Sequence, residues 1–472
     1  MFIEEILEAT GGRLLCGDIK TEVLTTSTNS REIGEKCLFV PVIGENVDAH
    51  KFIDSAFANG AVASFTSEHD TAKGNNCLIR VDDTIKALQD MGAYYGRKLN
   101  IPTVGITGSV GKTTTKEMVA CALSAKYNVF KTSGNHNSQI GVPVTLLEMK
   151  ESDEYAVIEM GMSMKGEMKR LAELVELDMA VMTNIGVSHI EQLGTRQGIC
   201  DEKMNICNAL KEDGKLFLNG DDDILSKYDN KNAIFYGMSE KCEFRGKDVK
   251  VHEYGIDFVL VHDDKEYNVK LNVLGKHNVL NALVAIAVAY NAGIEIEDAI
   301  KALAMYGGVK MRQQIIKTDT AVIIDDSYNA SPDSMRAGLS VLCDYNSTGR
   351  KVAVLADMLE LGENSKSYHY EVGEYIVNNH IDELITFGED SKEIKRAVEE
   401  HTDIVTKHFD KREDIIKYLE NTLEKDDVVL LKGSRGMKLN EVADALEKTF
   451  KPEDVSKNTL YNNDDSDKLG KR

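Results

Sequence analysis

The sequence predicts an α/β protein of three domains, and three observations carry that expectation. The chain has 472 residues, and at roughly 150 residues per domain that length accommodates about three cores. Apolar, β-branched runs alternate with helical stretches in two separate parts of the chain, from "IPTVGITG" to "GKLFLNGDD" and from "AVIIDDSY" to "DVVLLKGS". That rhythm belongs to parallel sheets covered by helices. A first segment with shorter apolar runs and turn residues precedes both.

Taken in order, residues 1–98 carry runs such as "CLFVPV" and "AVASF" between turn residues and a few helical stretches, which predicts a small N-terminal α/β domain. Residues 99–310 form the central domain. Its strands "IPTVGITG", "YAVIEMG", "MAVMTNIG" and "GKLFLNGDD" each break into glycine or polar residues where a helix should follow, so ligand groups belong at the strand ends. Near 242–272 the pattern becomes alternating, as in "DVKVHEYGIDFVLVHDDKEYNVKLNV", and predicts antiparallel hairpins decorating the sheet. "KHNVLNALVAIAVAYNAG" then has helical periodicity and a glycine stop. Residues 311–452 repeat the strand and helix alternation and predict a C-terminal, Rossmann-like domain. The stretch 453–472 is polar with few apolar anchors and is expected to be disordered. No internal repeat is visible.

Charge narrows the class of partner. Lys plus Arg number 56 against 78 Asp plus Glu, a net charge of −22, which repels nucleic acid and anionic lipid surfaces at long range. An anionic substrate would have to be met by a local basic pocket. The 8 cysteines stand singly, without a CxxC pair, as in a reducing compartment. "MFIEEILEAT" has acidic residues where a secretory signal would have basic ones, and no apolar run reaches the roughly 20 residues of a membrane span. A cytoplasmic chain without a membrane span is expected.

The stretch "TGSVGKTTTKEM", residues 107–118, places glycines and a lysine between a strand and a helix start. There the backbone of Gly108, Ser109, Val110 and Gly111 can surround a polyphosphate at the positive end of the helix dipole. Lys112 can neutralise β and γ phosphates, Thr113 can ligate Mg²⁺, and Thr114 follows in the same turn. A strict P-loop has a further glycine five residues before Gly111, where this chain has Ile106. A glycine-rich turn beside a surface lysine is the plainer alternative, and the flanking strand and helix favour the cradle. A GTP-reading NKxD motif is missing: "NKNA" has Ala233 in place of the aspartate. Glu159 ends the second strand, where a carboxylate can hold Mg²⁺. Asn184 ends the next strand and His189 lies just beyond it, so a parallel sheet would bring His189 to the same cleft. Lys203, on the following helix, reads by itself as an ordinary surface lysine.

These residues resemble the Mur ligase family of peptidoglycan synthesis, whose phosphate loop has the TGSxGKT form. The resemblance runs over nearly the whole chain, through "STNSREIGEKCLFV", "ENVDAHKFI", "GNHNSQIGVP", "EMGMSMKGEM", "IIDDSYNASPDSM" and "LLKGSRGMK". It implies an ATP-dependent, ADP-forming ligase with two Mg²⁺ ions, acting on UDP-N-acetylmuramoyl-tripeptide and D-alanyl-D-alanine, and a monomer is expected. It further implies that Glu159 binds a first metal, that His189 sits near a second, and that Lys203 is carbamylated and joins the metal site. Asn278 and Asn281 would meet adenine, and Arg312 and Asp326 would reach phosphate or ribose. Ser30 and Arg31 would seat the uridine diphosphate, and Asn135 and Asn137 would also meet substrate. Two positions depart from the family pattern: Asn29 stands for an aspartate and Ala49 for a glycine. The rival readings are a related amide ligase, such as the third-amino-acid-adding ligase or folylpolyglutamate synthase, and a nucleotide-binding scaffold without turnover.

Overall fold

The computed structural model describes residues 1–451 apart from 45, 46, 72, 73, 230, 253 and 254. The expected disorder of 453–472 and the first residue of "NKNA" lie outside the described residues. The apolar runs of the first segment become β1 (Arg13–Cys16), β2 (Thr25–Ser27), β3 (Cys37–Phe39), β4 (Ala63–Thr66) and β5 (Cys77–Arg80). They form a sheet in the order β1-β5-β4-β3-β2, parallel except for β1 against β5.

The middle segment supplies β6 (Thr103–Thr107), β7 (Val129–Lys131), β8 (Tyr155–Glu159), β9 (Leu177–Met182), β10 (Leu210–Asn219), β11 (Ala233–Gly237), β12 (Phe244–His252), β13 (Gly255–His262) and β14 (Lys265–Leu271). The last segment supplies β15 (Gln314–Lys317), β16 (Ala321–Asp326), β17 (Lys351–Ala356), β18 (Glu383–Phe387), β19 (Val405–Phe409) and β20 (Asp427–Lys432).

The chain divides into two compact units. One holds Met1–Thr107, Tyr127–Ala180 and Glu202–Leu216. It contains the first sheet and a mostly buried β6–β8 pair, parallel in register from Thr103↔Ala156 to Ile106↔Glu159, with β7 parallel on the far side of β8. The first sheet closes over a core that includes Ile3, Ile6, Leu38, Phe65, Ile79 and Leu88.

The other unit holds Gly108–Lys126, Val181–Asp201 and the chain from Phe217 onward. Its β12, β13 and β14 are antiparallel neighbours, as the alternation predicts, and β11 lies parallel beside β12. Its second sheet runs β15-β16-β20-β17-β18-β19. The strands β16, β20, β17, β18 and β19 are parallel, whereas β15 is an antiparallel edge that the sequence pattern does not announce. Side chains of β16, β17 and β20 fill the cores on both faces of this sheet. Among the described residues no helix is long and apolar enough to cross a membrane.

Candidate active site

In the second unit the loop Gly108–Gly111 leads into the helix Lys112–Leu123. Gly108 and Gly111 have φ of 148° and 86°, a backbone that side chains with a Cβ rarely adopt. A Cβ at Gly108 would also overlap the Thr183 hydroxyl. The glycines therefore sit where this loop turns, and Ile106, wholly buried in β6, is packing rather than cradle.

Asn184 builds the loop's shape: its Nδ2 donates to the Val110 carbonyl (2.9 Å), and its Oδ1 accepts from the Val110 amide (3.0 Å). The Ser109 amide donates to the Asn184 carbonyl (3.0 Å), and the Thr183 hydroxyl donates to the Val110 carbonyl (2.7 Å). The amides of Ser109 and Val110, expected to face a phosphate, are thus engaged by the neighbouring strand end. Lys112 Nζ donates to the carbonyls of Gly108 (2.8 Å) and Ser109 (3.4 Å), lying across its own loop. Thr113 is buried in the first helical turn, and Thr114 is half-buried. The buried Ser109 Oγ has no hydrogen-bond partner among the described residues.

Asn278 and Asn281, expected at the adenine, are nearly buried on the helix His277–Asn291. Asn281 Oδ1 accepts from the Thr115 hydroxyl (3.1 Å), Asn281 Nδ2 donates to Asn278 Oδ1 (2.8 Å), and Asn278 Nδ2 donates to the Leu274 carbonyl (2.6 Å). Their amides run as a chain that braces the cradle helix, so in this conformation they position the phosphate loop.

The strand-end loop that carries His189 is likewise fixed from within the second unit. Asn219 Nδ2 donates to the Thr183 carbonyl (3.0 Å), the Ile185 amide donates to Asp222 Oδ2 (2.8 Å), and Arg196 Nη2 donates to the Ile185 carbonyl (2.7 Å). His189 has φ of 63° and caps a short helix, with Nδ1 3.1 Å from Glu360 Oε2. The Asp333 carboxylate lies against Gly186, where a Cβ would overlap it.

In the first unit Glu159 ends β8 and is buried. Its amide donates to the Thr132 hydroxyl (2.9 Å), and Oε1 accepts from Asn137 Nδ2 (2.7 Å). Oε2 is buried with no hydrogen-bond partner among the described residues. An oriented carboxylate oxygen without a donor fits a hard cation such as Mg²⁺. Asn137, expected at the substrate, spends its amide on Glu159, while Asn135 is exposed. Lys203 is 1% exposed, which overturns its reading as a surface lysine. The adjacent Glu202 accepts from the amides of Gly166 and Met168 at 2.9 Å each, pinning that turn of helix.

Ser30 is buried and Arg31 exposed beside it. Asn29 Oδ1 accepts from the Arg31 amide (3.1 Å), a turn that asparagine closes as an aspartate would. Ala49 is not among the positive-φ residues, so losing a glycine there strains nothing.

Arg312 stacks on Tyr328, 4.2 Å from guanidinium carbon to ring centre. Asp326, expected at phosphate or ribose, accepts from buried Lys432 (2.7 Å). Sequence reasoning missed Lys432. The parallel register that sets Asp326 opposite Lys432 is its only signal, and it appears once β16 and β20 are paired.

The chain belongs to the Mur ligase family. The model of the Mur ligase middle domain matches residues 106–289 and that of the Mur ligase, glutamate ligase domain matches 311–435. Among its relatives, the UDP-N-acetylmuramoyl-tripeptide–D-alanyl-D-alanine ligase of Bacillus subtilis (strain 168) is 39% identical over 90% of this chain and 93% of its own. The fold is similar to crystal structure I of MurF from Acinetobacter baumannii, with TM-score 0.86 and 29% identity over 94% of this chain and 98% of that one. It is also similar to the MurF ligase of Thermotoga maritima in complex with ADP, with TM-score 0.80 and 32% identity over 90% and 97%.

Proposed function

We propose that this protein is an ATP-dependent ligase that joins D-alanyl-D-alanine to UDP-N-acetylmuramoyl-tripeptide through an acyl phosphate. The observation that carries the reading is the near-complete match to a ligase of that name, 39% identical over 90% of the chain. The phosphate loop built on Gly108 and Gly111 supports it chemically.

A carboxylate does not accept an amine at neutral pH because its leaving group would be oxide. Phosphorylation first creates an acyl phosphate, with phosphate as leaving group; the amine then attacks, and the tetrahedral intermediate collapses to an amide, ADP and phosphate. The first step brings two anions together, so what the protein must supply is positioning and positive charge. Lys112 swings from its own loop carbonyls to the β and γ phosphates. Glu159, Thr113, His189 and carbamylated Lys203 are the groups that would hold two Mg²⁺ ions, which supply charge neutralisation when bound. Asn137 and Thr132 keep Glu159 oriented, and Asn281 and Asn184 keep the loop in shape. Arg312 neutralises nucleotide phosphate, and Asp326, with Lys432, sets the ribose side. Ser30 and Arg31 seat the uridine diphosphate, and Asn135 meets the substrate.

The same proposal assigns 1–98 to the UDP-substrate, 99–310 to ATP and 311–452 to closure over the reaction, in a cytoplasmic monomer. Mass spectrometry of a mixture of UDP-muramoyl-tripeptide, ATP, Mg²⁺ and D-alanyl-D-alanine tests the reaction. The expected result is the pentapeptide product with one ADP per bond. Product with glutamate or a diamino acid in place of the dipeptide would move the assignment to a related ligase, and no product with any amine would leave a nucleotide-binding scaffold.

A further inference from the structure

Arg312 stands between two residues in an uncommon backbone conformation. Met311 and Gln313 have φ of 61° and 53°, the left-handed region that side chains with a Cβ rarely adopt. Neither is a glycine, asparagine or aspartate, the residues that enter that region at least cost. Such a pair persists only where surrounding contacts over-determine the turn, and strain of this kind gathers where a side chain has to be aimed.

The contacts that hold the turn all lie within the second unit. The Arg312 amide donates to the Val309 carbonyl (3.2 Å), the Tyr328 amide donates to the Met311 carbonyl (3.2 Å), and the Met311 amide donates to Gln314 Oε1 (3.1 Å). The Tyr328 ring takes the Arg312 guanidinium on its face, 4.2 Å from its centre. Gln313 makes the remaining tie, a side-chain hydrogen bond to the His277 ring. The approach is close: a Cβ on Gly275 would overlap that ring and lie 3.0 Å from Gln313 Oε1. Burial pushes the His277 imidazole down, against the pull of the Asp326 carboxylate and with the push of Lys432. A neutral ring has one N–H to give, and the amide oxygen of a glutamine accepts it.

His277 opens the helix His277–Asn291, which carries Asn278 and Asn281. One imidazole therefore borders the helix of the two asparagines, the turn of Arg312 and the carboxylate of Asp326. These are all the residues, outside the cradle itself, that the sequence assigns to the nucleotide.

We propose that Gln313 is a positioning residue: by bonding His277 it locks the left-handed turn 311–313 to the helix of Asn278 and Asn281, and so holds Arg312 where a nucleotide phosphate meets it. This rests on the assignment of Arg312 to nucleotide phosphate made above. Without the bond the turn can relax to ordinary backbone angles, and the arginine between the two left-handed residues turns with it. Gln313 itself touches no substrate in this account.

The test titrates the full chain, with Mg²⁺ present, with the non-hydrolysable imido analogue of ATP. It compares Arg312→Ala, Gln313→Ala, Gln313→Asn and the double variant of Arg312→Ala with Gln313→Ala. Gln313→Ala is expected to weaken the affinity roughly 5- to 10-fold, the effect of one lost hydrogen bond, and to leave affinity for the UDP-substrate unchanged. Gln313→Asn, at ease in the left-handed region but a methylene short of His277, should lose as much while melting no lower than Gln313→Ala, which separates the bond from the fold. In the double variant the affinity should stay within about 2-fold of Arg312→Ala, because Gln313 acts through the arginine, whereas a merely structural role would multiply the two losses. Losses that multiply, or unchanged affinity in both Gln313 variants, overturn the proposal and leave the assignment of Arg312 standing. Unchanged affinity in Arg312→Ala overturns that assignment, and this proposal with it.

Discussion

Lys112 is held by the carbonyls of Gly108 and Ser109, so its charge already lies over the loop where phosphates would bind. Lys112→Ala should therefore lower turnover by about a thousand-fold or more without unfolding the helix, since alanine is a good helix former. Steady-state ADP release and circular dichroism check both halves, and near-normal turnover in a folded variant would remove the lysine from the reaction. Lys203 makes a second case at this scale. It is among the largest fully buried side chains. A carbamate there replaces a positive charge with a negative one and offers two oxygens of the kind Mg²⁺ prefers. Lys203→Ala is expected to lose most activity and to regain part of it with formate or acetate. The unaltered protein, equilibrated with ¹³C-labelled bicarbonate, should show a carbamate carbon signal that the variant lacks. A labelled spectrum without that signal, or a fully active variant, would return Lys203 to a packing role.

At the scale of the element, the phosphate loop depends on the end of the strand beside it more than on its own sequence. Gly108→Ala would drive a Cβ into Thr183 and force an unfavourable φ, so nucleotide affinity should fall by roughly 100-fold. Isothermal titration with ADP checks this, and Ser109→Ala, which leaves the backbone alone, should change affinity far less. Equal losses in the two variants would mean that the side chains rather than the backbone shape the loop.

This dependence marks how far the sequence can be read. The parallel strands, the hairpins of 244–271 and the cradle were legible because period, β-branched runs and glycine spacing are local signals. The edge strand β15 was not, because four residues with no alternation look like any loop until β16 pairs with them. The positions of Glu159, His189 and Lys112 followed from strand-end logic. The partners that hold them did not, because Asn137 with Glu159, Asn281 with Thr115 and Lys432 with Asp326 are joined only by the fold. For the same reason the sequence does not announce that Asn137, Asn281 and Asp326, expected at ligands, each also meet another side chain.

For the whole molecule, the segment from residue 311 onward is expected to matter to a reaction whose phosphate loop lies far earlier in the chain. Within the second unit the loop 183–193 meets residues of the C-terminal segment: Asp333 lies against Gly186, Glu360 is 3.1 Å from His189, and Glu191 packs against Gly362. A chain ending at residue 310 would lose these neighbours, Glu360 beside His189 among them, together with Arg312, the guanidinium proposed to meet nucleotide phosphate. Such a chain should show no ligation, and adding 311–472 as a separate polypeptide should restore little, because the geometry must be held within tenths of an ångström to favour attack. Circular dichroism establishes whether the shortened chain is folded, and full ligase activity from it would refute the shared site. Should it fail to fold, Arg312→Ala in the full chain answers the same question, since that variant should raise the KM for ATP roughly 10- to 100-fold. An unchanged KM there would mean that the C-terminal segment serves the dipeptide alone and leaves the nucleotide to the cradle.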